Sequence, residues 1–425
     1  MSSRMKIALL LVVLIYSLFY PPLYAFTIPR NYLSVTTLEV NTTSPINVVD
    51  YDPVRKALLL KVYGRGGPSV IAASPGGTLR LRLNSTFIGG CITNNSFKIV
   101  LFNNGFHLLT LRDGRLENST IPGPTALPLS FNVTCSEDSL YLTYATTNKI
   151  IIYNITGDSI VTAWLRGTLI DSHAYNDTLI VLAKTGKESL AYTLREGHLD
   201  VYSLLGGPSA SRIVGPGLLT GYSGNTSYLI DIYNNKIIYL EYRGGKATVE
   251  AAIRENYEYI VLTRPPGDWM HLVYITGKGK SSEVEVFYTL AYTFDHAGVR
   301  GGAIWAGGTL YNGSRRIAAV LTARGVVRGM VGYYPTLLLS VNPGTRARIE
   351  VKPLVVTKKA LTLNSSRIEA GPGKAPSPGI LESYMGKPRI TGQYYDRWER
   401  LLTGIVLDLV VLVPVYLLVS KNYED

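Results

Sequence analysis

From about residue 34 to 365 apolar and polar residues alternate with a period of two, rich in Val, Ile, Tyr and Thr and broken by Gly, Asn and Asp. That pattern predicts short half-buried β-strands joined by tight turns. Three hairpins are directly legible. Ser139–Tyr144 turns through Thr146-Thr147-Asn148 into Lys149–Tyr153, Thr178–Ala183 turns through Thr185-Gly186 into Glu188–Thr193, and Ser227–Tyr233 turns through Asn234-Asn235 into Lys236–Glu241. No amphipathic helix of useful length interrupts the region.

The hairpins recur. Comparable strands begin near Lys56, Phe97, Ser139, Thr178, Ser227, Trp269 and Arg316, at gaps of 41, 42, 39, 49, 42 and 47 residues. Second turns such as Asp113-Gly114, Gly157-Asp158, Glu196-Gly197 and Gly244-Gly245 follow, each leading to another strand. Four short strands per 40 to 50 residues resembles β-propeller repeat proteins in general, and seven units would close a ring, which solves the edge problem that an open sheet of this size would face. The resemblance implies an all-β, seven-bladed propeller over residues 34–369. Neither a WD dipeptide nor a kelch double-Gly recurs, so no named family follows. A β-sandwich or two β domains is the alternative, with residues 297–369 as a small sandwich of their own.

The two ends change the picture from a soluble domain to an exported one. Arg4 and Lys6 precede an apolar run, Ile7 to Tyr20, that closes on Pro21-Pro22-Leu23-Tyr24-Ala25. Residues 1–25 therefore read as a signal peptide, with an uncleaved anchor as the alternative. Leu401 to Ser420 is a 20-residue run broken only by Asp408 and Pro414, long enough for one transmembrane helix. Residues 421–425 then form a cytoplasmic tail. The Gly371-Pro-Gly-Lys-Ala-Pro-Ser-Pro-Gly379 stretch predicts a Pro/Gly-rich stalk over 370–396.

Ten of the 21 Asn residues stand in Asn-x-Ser/Thr acceptors: Asn41, Asn84, Asn94, Asn118, Asn132, Asn154, Asn176, Asn225, Asn312 and Asn364. Such density predicts a glycoprotein exposed at the cell surface. Gln occurs once, at Gln393, a depletion expected in a thermophile; with the acceptors it favours an archaeal surface protein. Outside the cell, the lone pair Cys91 and Cys135 reads as one disulfide bond. Their nearly equivalent repeat positions suit a bridge between neighbouring blades.

Charge is unevenly distributed. Ala297 to Ile368 carries eight Arg and three Lys against Glu350 alone, nearly the whole excess of the +12 chain. This predicts a basic patch including Arg315, Arg316, Arg324, Arg328, Arg346 and Arg348, facing an anionic lipid or acidic glycan, or simply solvent. An extracellular location disfavours nucleic acid. Asp408 within the apolar run is an intramembrane polar residue, and it predicts a membrane-protein partner.

Catalytic chemistry is sparse. The five His residues (His107, His173, His198, His271 and His296) form no metal-ligand spacing. Asp268 with His271 and Asp295 with His296 are the local acid–His neighbours, and nucleophile-elbow and phosphate-loop motifs are lacking. The reading is a non-enzymatic binding or scaffold protein in the cell membrane, single-pass, without cofactor or metal. A secreted propeller-type hydrolase or oxidoreductase is the alternative, as is a solute or polysaccharide receptor using Trp164, Trp269 and Trp305 in the central channel.

Overall fold

A computed structural model describes residues 33–393, apart from short stretches of which 325–330 and 373–378 are the longest. The chain is a seven-bladed β-propeller. The innermost strands are Ile46–Asp52, Thr86–Ile92, Phe131–Cys135, Thr168–Tyr175, Arg212–Gly215, Thr248–Glu255 and Tyr292–Arg300, and define blades 1 to 7. Each touches the next, and the seventh touches the first, so the ring is closed. Three further antiparallel strands extend every blade outward. In blade 7 the fourth is the N-terminal strand Leu33–Val40, paired with Arg315–Ala323. Ring closure thus joins sequence regions nearly 300 residues apart. The sandwich alternative for residues 297–369 does not hold, because blade 7 continues the ring.

The second strands begin at residues 57, 97, 140, 178, 218, 258 and 303, a regular spacing of 38 to 45 residues. The sequence markers Lys56, Phe97, Ser139 and Thr178 coincide with these starts, whereas Ser227, Trp269 and Arg316 mark third strands. In those last blades the second strand is entered through Pro216-Gly217, Asn256 and Gly301-Gly302, and the period-two signal starts late.

The region expected to be a stalk is the largest departure. After blade 7 the chain reverses around the outside of the ring and adds a fifth strand to each blade in turn. Leu337–Asn342 joins blade 6, Ala347–Pro353 blade 5, Thr357–Thr362 blade 4 and Ser365–Glu369 blade 3. Gly371–Pro372 joins blade 2, Gly379–Tyr384 blade 1 and Arg389–Gln393 blade 7. The described parts of the expected stalk, Gly371–Pro372, Gly379–Tyr384 and Arg389–Gln393, are therefore belt strands. Pro is tolerated there because an outermost strand needs ladder bonds on one side only. The belt also covers edges that would otherwise template association.

Between blades the side chains make separate cores rather than one. Leu59, Val70 and Leu81 meet Ile99 and Leu109 between blades 1 and 2, and Ile150, Ile152 and Leu165 meet Leu179 and Val181 between blades 3 and 4. Glycine permits the closest approaches: a Cβ at Gly215 would fall on the Ala252 carbonyl oxygen of the next blade. Cys91 and Cys135 form a disulfide with a Cα–Cα distance of 5.6 Å, linking the innermost strands of blades 2 and 3. Its 44-residue loop supports stabilisation of about 2–4 kcal/mol.

Candidate functional site in the central channel

The channel contains a cavity of about 620 Å³, a volume suited to a small molecule. The turns between first and second strands of all seven blades form its rim, through residues such as Arg55, Asn94, Glu137, Asn176, Glu255 and Gly302. Its walls carry Asp50, Asn132, Asp171, His173, Arg212, Glu250, His296 and Arg300, all from innermost strands.

A shared backbone device aims several of these side chains. In six blades the innermost strand carries a β-bulge, its register shifting at Val48/Asp50, Phe87/Gly89, Leu169/Asp171, Ile213/Gly215, Val249/Ala251 and Phe294/His296. Bulges re-aim side chains and sharpen twist. Asp50, Asp171 and His296 all stand immediately after a bulge.

The carboxylates have structural employment. Asp50 accepts the Tyr51 backbone N–H at 2.8 Å and, across the blade boundary, that of Ile92 at 2.8 Å. Asp171 repeats this with Ser172 and, in the next blade, Ile213, both at 2.8 Å. Asn132 plays a related part in blade 3: its oxygen accepts from the Val133 N–H at 2.9 Å, while its Nδ2 donates to Asp171 at 3.0 Å and the Ser172 carbonyl at 2.6 Å. Burial raises the pKa of Asp50, opposed chiefly by the Arg300 charge and the two backbone donors. Burial likewise raises that of Asp171, opposed by the Ile213 N–H and Arg212. Hydrogen bonds occupy both carboxylates, which favours a stapling role over proton transfer.

Ion pairs tie further blades together. Arg300 bridges Asp50 at 3.1 Å and Asp52 at 3.5 Å, joining blade 7 to blade 1. Arg212 meets Glu250 at 2.9 Å, joining blades 5 and 6. Asp231, wholly buried, accepts from Arg254, Tyr259 and Asn234 at 2.9, 2.9 and 2.7 Å. Such a pair is tolerated inside because its remaining lone pairs are also satisfied.

Two histidines share the cavity. Burial lowers the pKa of His173 to about 4, with smaller contributions from His296 and Arg212. Burial also lowers that of His296, followed by Arg212, although its ring is open to the cavity. Both are neutral at neutral pH and can donate and accept hydrogen bonds. His173 stacks on Tyr175 at 4.7 Å between ring centroids, and His296 lies 5.8 Å from Trp305.

The expected site residues are scattered more widely. Trp305 lines the cavity but is only 3% exposed and packs edge-on against Tyr51, so it is a wall rather than a stacking platform. Trp164 lies on the fourth strand of blade 3 under Lys149, away from the channel, and Trp269 lies outside the described residues. His271 is buried against Tyr242, and its proposed neighbour Asp268 is outside the described residues.

The described members of the basic patch do not share one surface. Arg315 pairs with Glu39 and Arg316 bonds the Thr43 carbonyl at one end of blade 7, whereas Arg324 follows the other end of the same strand. Arg348 belongs to the belt on blade 5. The excess charge of residues 297–368 is spread because the belt crosses several blades. Arg328, Arg346, Asn364, Asp408 and residues 1–25 and 401–425 lie outside the described residues. Among the described residues no helix is long and apolar enough to cross a membrane.

Among the acceptors, Asn41, Asn84, Asn176 and Asn225 are exposed, and Asn94, Asn118 and Asn154 are partly so. Asn312 ends the second strand of blade 7. Asn132 differs, since its amide nitrogen is committed inside the channel.

Sequence reasoning missed the channel set because its members lie about 40 residues apart and form no local motif. Superposing the repeats on the post-bulge position brings Asp50, Asp171 and His296 together.

No family model matches the chain, and no curated protein matches it in sequence. Among solved structures it is similar to the WD40 domain of Toxoplasma gondii coronin, at 8% identity and a TM-score of 0.41, over 70% of this chain and 88% of that one. It is also similar to a subtype N10 neuraminidase-like protein of a little yellow-shouldered bat isolate from Guatemala, at 9% identity and a TM-score of 0.35, over 68% and 98%. The strand pairing itself establishes the fold: a closed seven-bladed propeller.

Proposed function

We propose that this chain is a membrane-anchored, exported glycoprotein whose propeller binds a small polar ligand in its central channel. The observation that carries the binding reading is the 620 Å³ cavity, walled by Arg, Asp, Asn and His side chains and rimmed by turns from all seven blades. Neutral His173 and His296 offer donors and acceptors, and Arg212 and Glu250 offer both charges at the wall. The apolar runs 7–20 and 401–420 and the density of acceptors support the anchored, exported setting. Asp408 supports a second membrane subunit beside this one.

Thermal-shift screening of sugars, amino acids and small organic acids against the purified chain tests the binding reading. A stabilising ligand whose effect disappears in His296→Ala supports it, and a panel with no response opposes it.

A further inference from the structure

The register of blade 7 fixes where the chain leaves the ring. Arg300 pairs with Ala303 around the Gly301-Gly302 turn, Ile304 with Ala323, Ala323 with Leu33, and Ser34 with Gln393. Gly301, Leu33 and Gln393 therefore stand at the same end of one sheet. Gly301 and Gly302 belong to the rim of the channel cavity. Both ends of the described chain thus emerge on the face where the cavity meets its rim, beside each other on the outer strands of a single blade. The opposite face carries the other end of that sheet, where Arg316 pairs with Val40.

Only residues 394–400 separate Gln393 from the apolar run that begins at Leu401. Seven residues span at most about 25 Å when fully extended. A globular ring tethered so closely by that edge cannot freely present its opposite face to the bilayer.

We propose that the rimmed mouth of the channel faces the membrane, and that its ligand is a polar headgroup presented at the membrane surface rather than a solute from the bulk. This rests on the anchored reading of residues 401–420. The cavity has the dimensions of a small polar group and not of a folded partner. Large apolar side chains exposed at the described rim are confined to Val54 and Tyr233, too few for the apolar centre of a protein interface. Arg55 sits at the rim with its guanidinium bonded to the Thr93 carbonyl and the Asn94 side chain, and Arg212 lies on the wall. Together with neutral histidines they suit a headgroup of hydroxyls and a negative charge.

The test uses the full chain in nanodiscs. One fluorophore is attached through Asp177→Cys, at the rim end of strand Thr178–Thr185, or through Thr185→Cys at its far end. These sites are about 25 Å apart at 3.3 Å per residue. Native cysteines do not compete, being joined to each other. Energy transfer to an acceptor on the lipid headgroups is expected to be at least twofold higher from the Asp177→Cys label. Equal or reversed efficiencies in inserted protein overturn the orientation while leaving the anchor intact. Failure of the chain to enter nanodiscs overturns the anchored reading, and the orientation with it. Native mass spectrometry of the full chain from nanodiscs made with a polar lipid extract then tests the source. A bound lipid lost in His296→Ala supports the headgroup, and a bound water-soluble molecule in its place overturns that half of the proposal.

Discussion

The Asp171 carboxylate accepts the backbone N–H of Ile213 at 2.8 Å, so a side chain of blade 4 holds the innermost strand of blade 5. Asp50 and Ile92 repeat the relationship between blades 1 and 2 at the same distance. Removing Asp171 orphans the Ile213 N–H and one donor of Asn132. Asp171→Ala is expected to lower unfolding free energy by about 2–4 kcal/mol, measured by denaturant titration. A loss below about 0.5 kcal/mol would mean that the staple is dispensable.

Acid should weaken the ring through its histidines. His173 has a folded pKa of about 4, below the unfolded value near 6.5. Between those values the unfolded chain binds the proton and the folded chain does not, so stability present above pH 6.5 is lost as pH falls towards 4. Raised Asp50 and Asp171 act with the opposite sign, their contribution falling as pH rises through their folded values. The His173→Gln chain should therefore lose less melting temperature between pH 7 and pH 4.5 than the parent. Parallel curves would remove His173 from the account.

The belt should govern solubility more than core stability. Its strand Thr357–Thr362 is exposed at every residue, whereas Leu179 to Ala183 in the same blade is wholly buried. A version of the chain ended after Arg324 is expected to form multimers, because edges in all seven blades lose their covering strand. Size-exclusion chromatography beside a version ended after Gln393 gives the answer, and two monomeric profiles would show the edges to be harmless.

Glycopeptide mapping of protein from its native membrane should find Asn176 and Asn225 occupied and Asn132 empty. The first two are exposed in turns, while the Asn132 nitrogen donates two hydrogen bonds within the channel wall. An occupied Asn132 would require a different blade 3–blade 4 boundary.

Ring architecture and blade number were legible because strands such as Leu140–Ala145 and Thr178–Thr185 bury enough apolar residues to impose a period on the sequence. The disulfide was legible from a lone cysteine pair in a chain read as extracellular, and its span between neighbouring blades from the nearly equivalent repeat positions. The belt was not. Thr357-Lys-Lys-Ala-Leu-Thr362 has no buried face, so its strand arises from a neighbour's free edge rather than from its own pattern. Gly371-Pro372 reads as linker for the same reason. Basic residues adjacent in sequence are not all adjacent in space, because a belt that passes from blade to blade separates the described ones. His173 and His296 meet only when the ring closes.

The reverse winding of the belt also has a mechanical meaning. Leu33 and Gln393 leave blade 7 side by side, from the same end of antiparallel strands. Tension between the two termini would open that pairing one hydrogen bond at a time, as a zipper opens, without first shearing a whole strand. Arg389–Gln393 would come away first, then Gly379–Tyr384, and the remaining outer strands in the reverse of their sequence order. Among the four inner strands of each blade, only Leu33–Val40, through which the N-terminal pull enters blade 7, bears that load until the belt is spent. The propeller therefore carries its own tether: a length of chain stored on its circumference, released under pull while the channel keeps its shape.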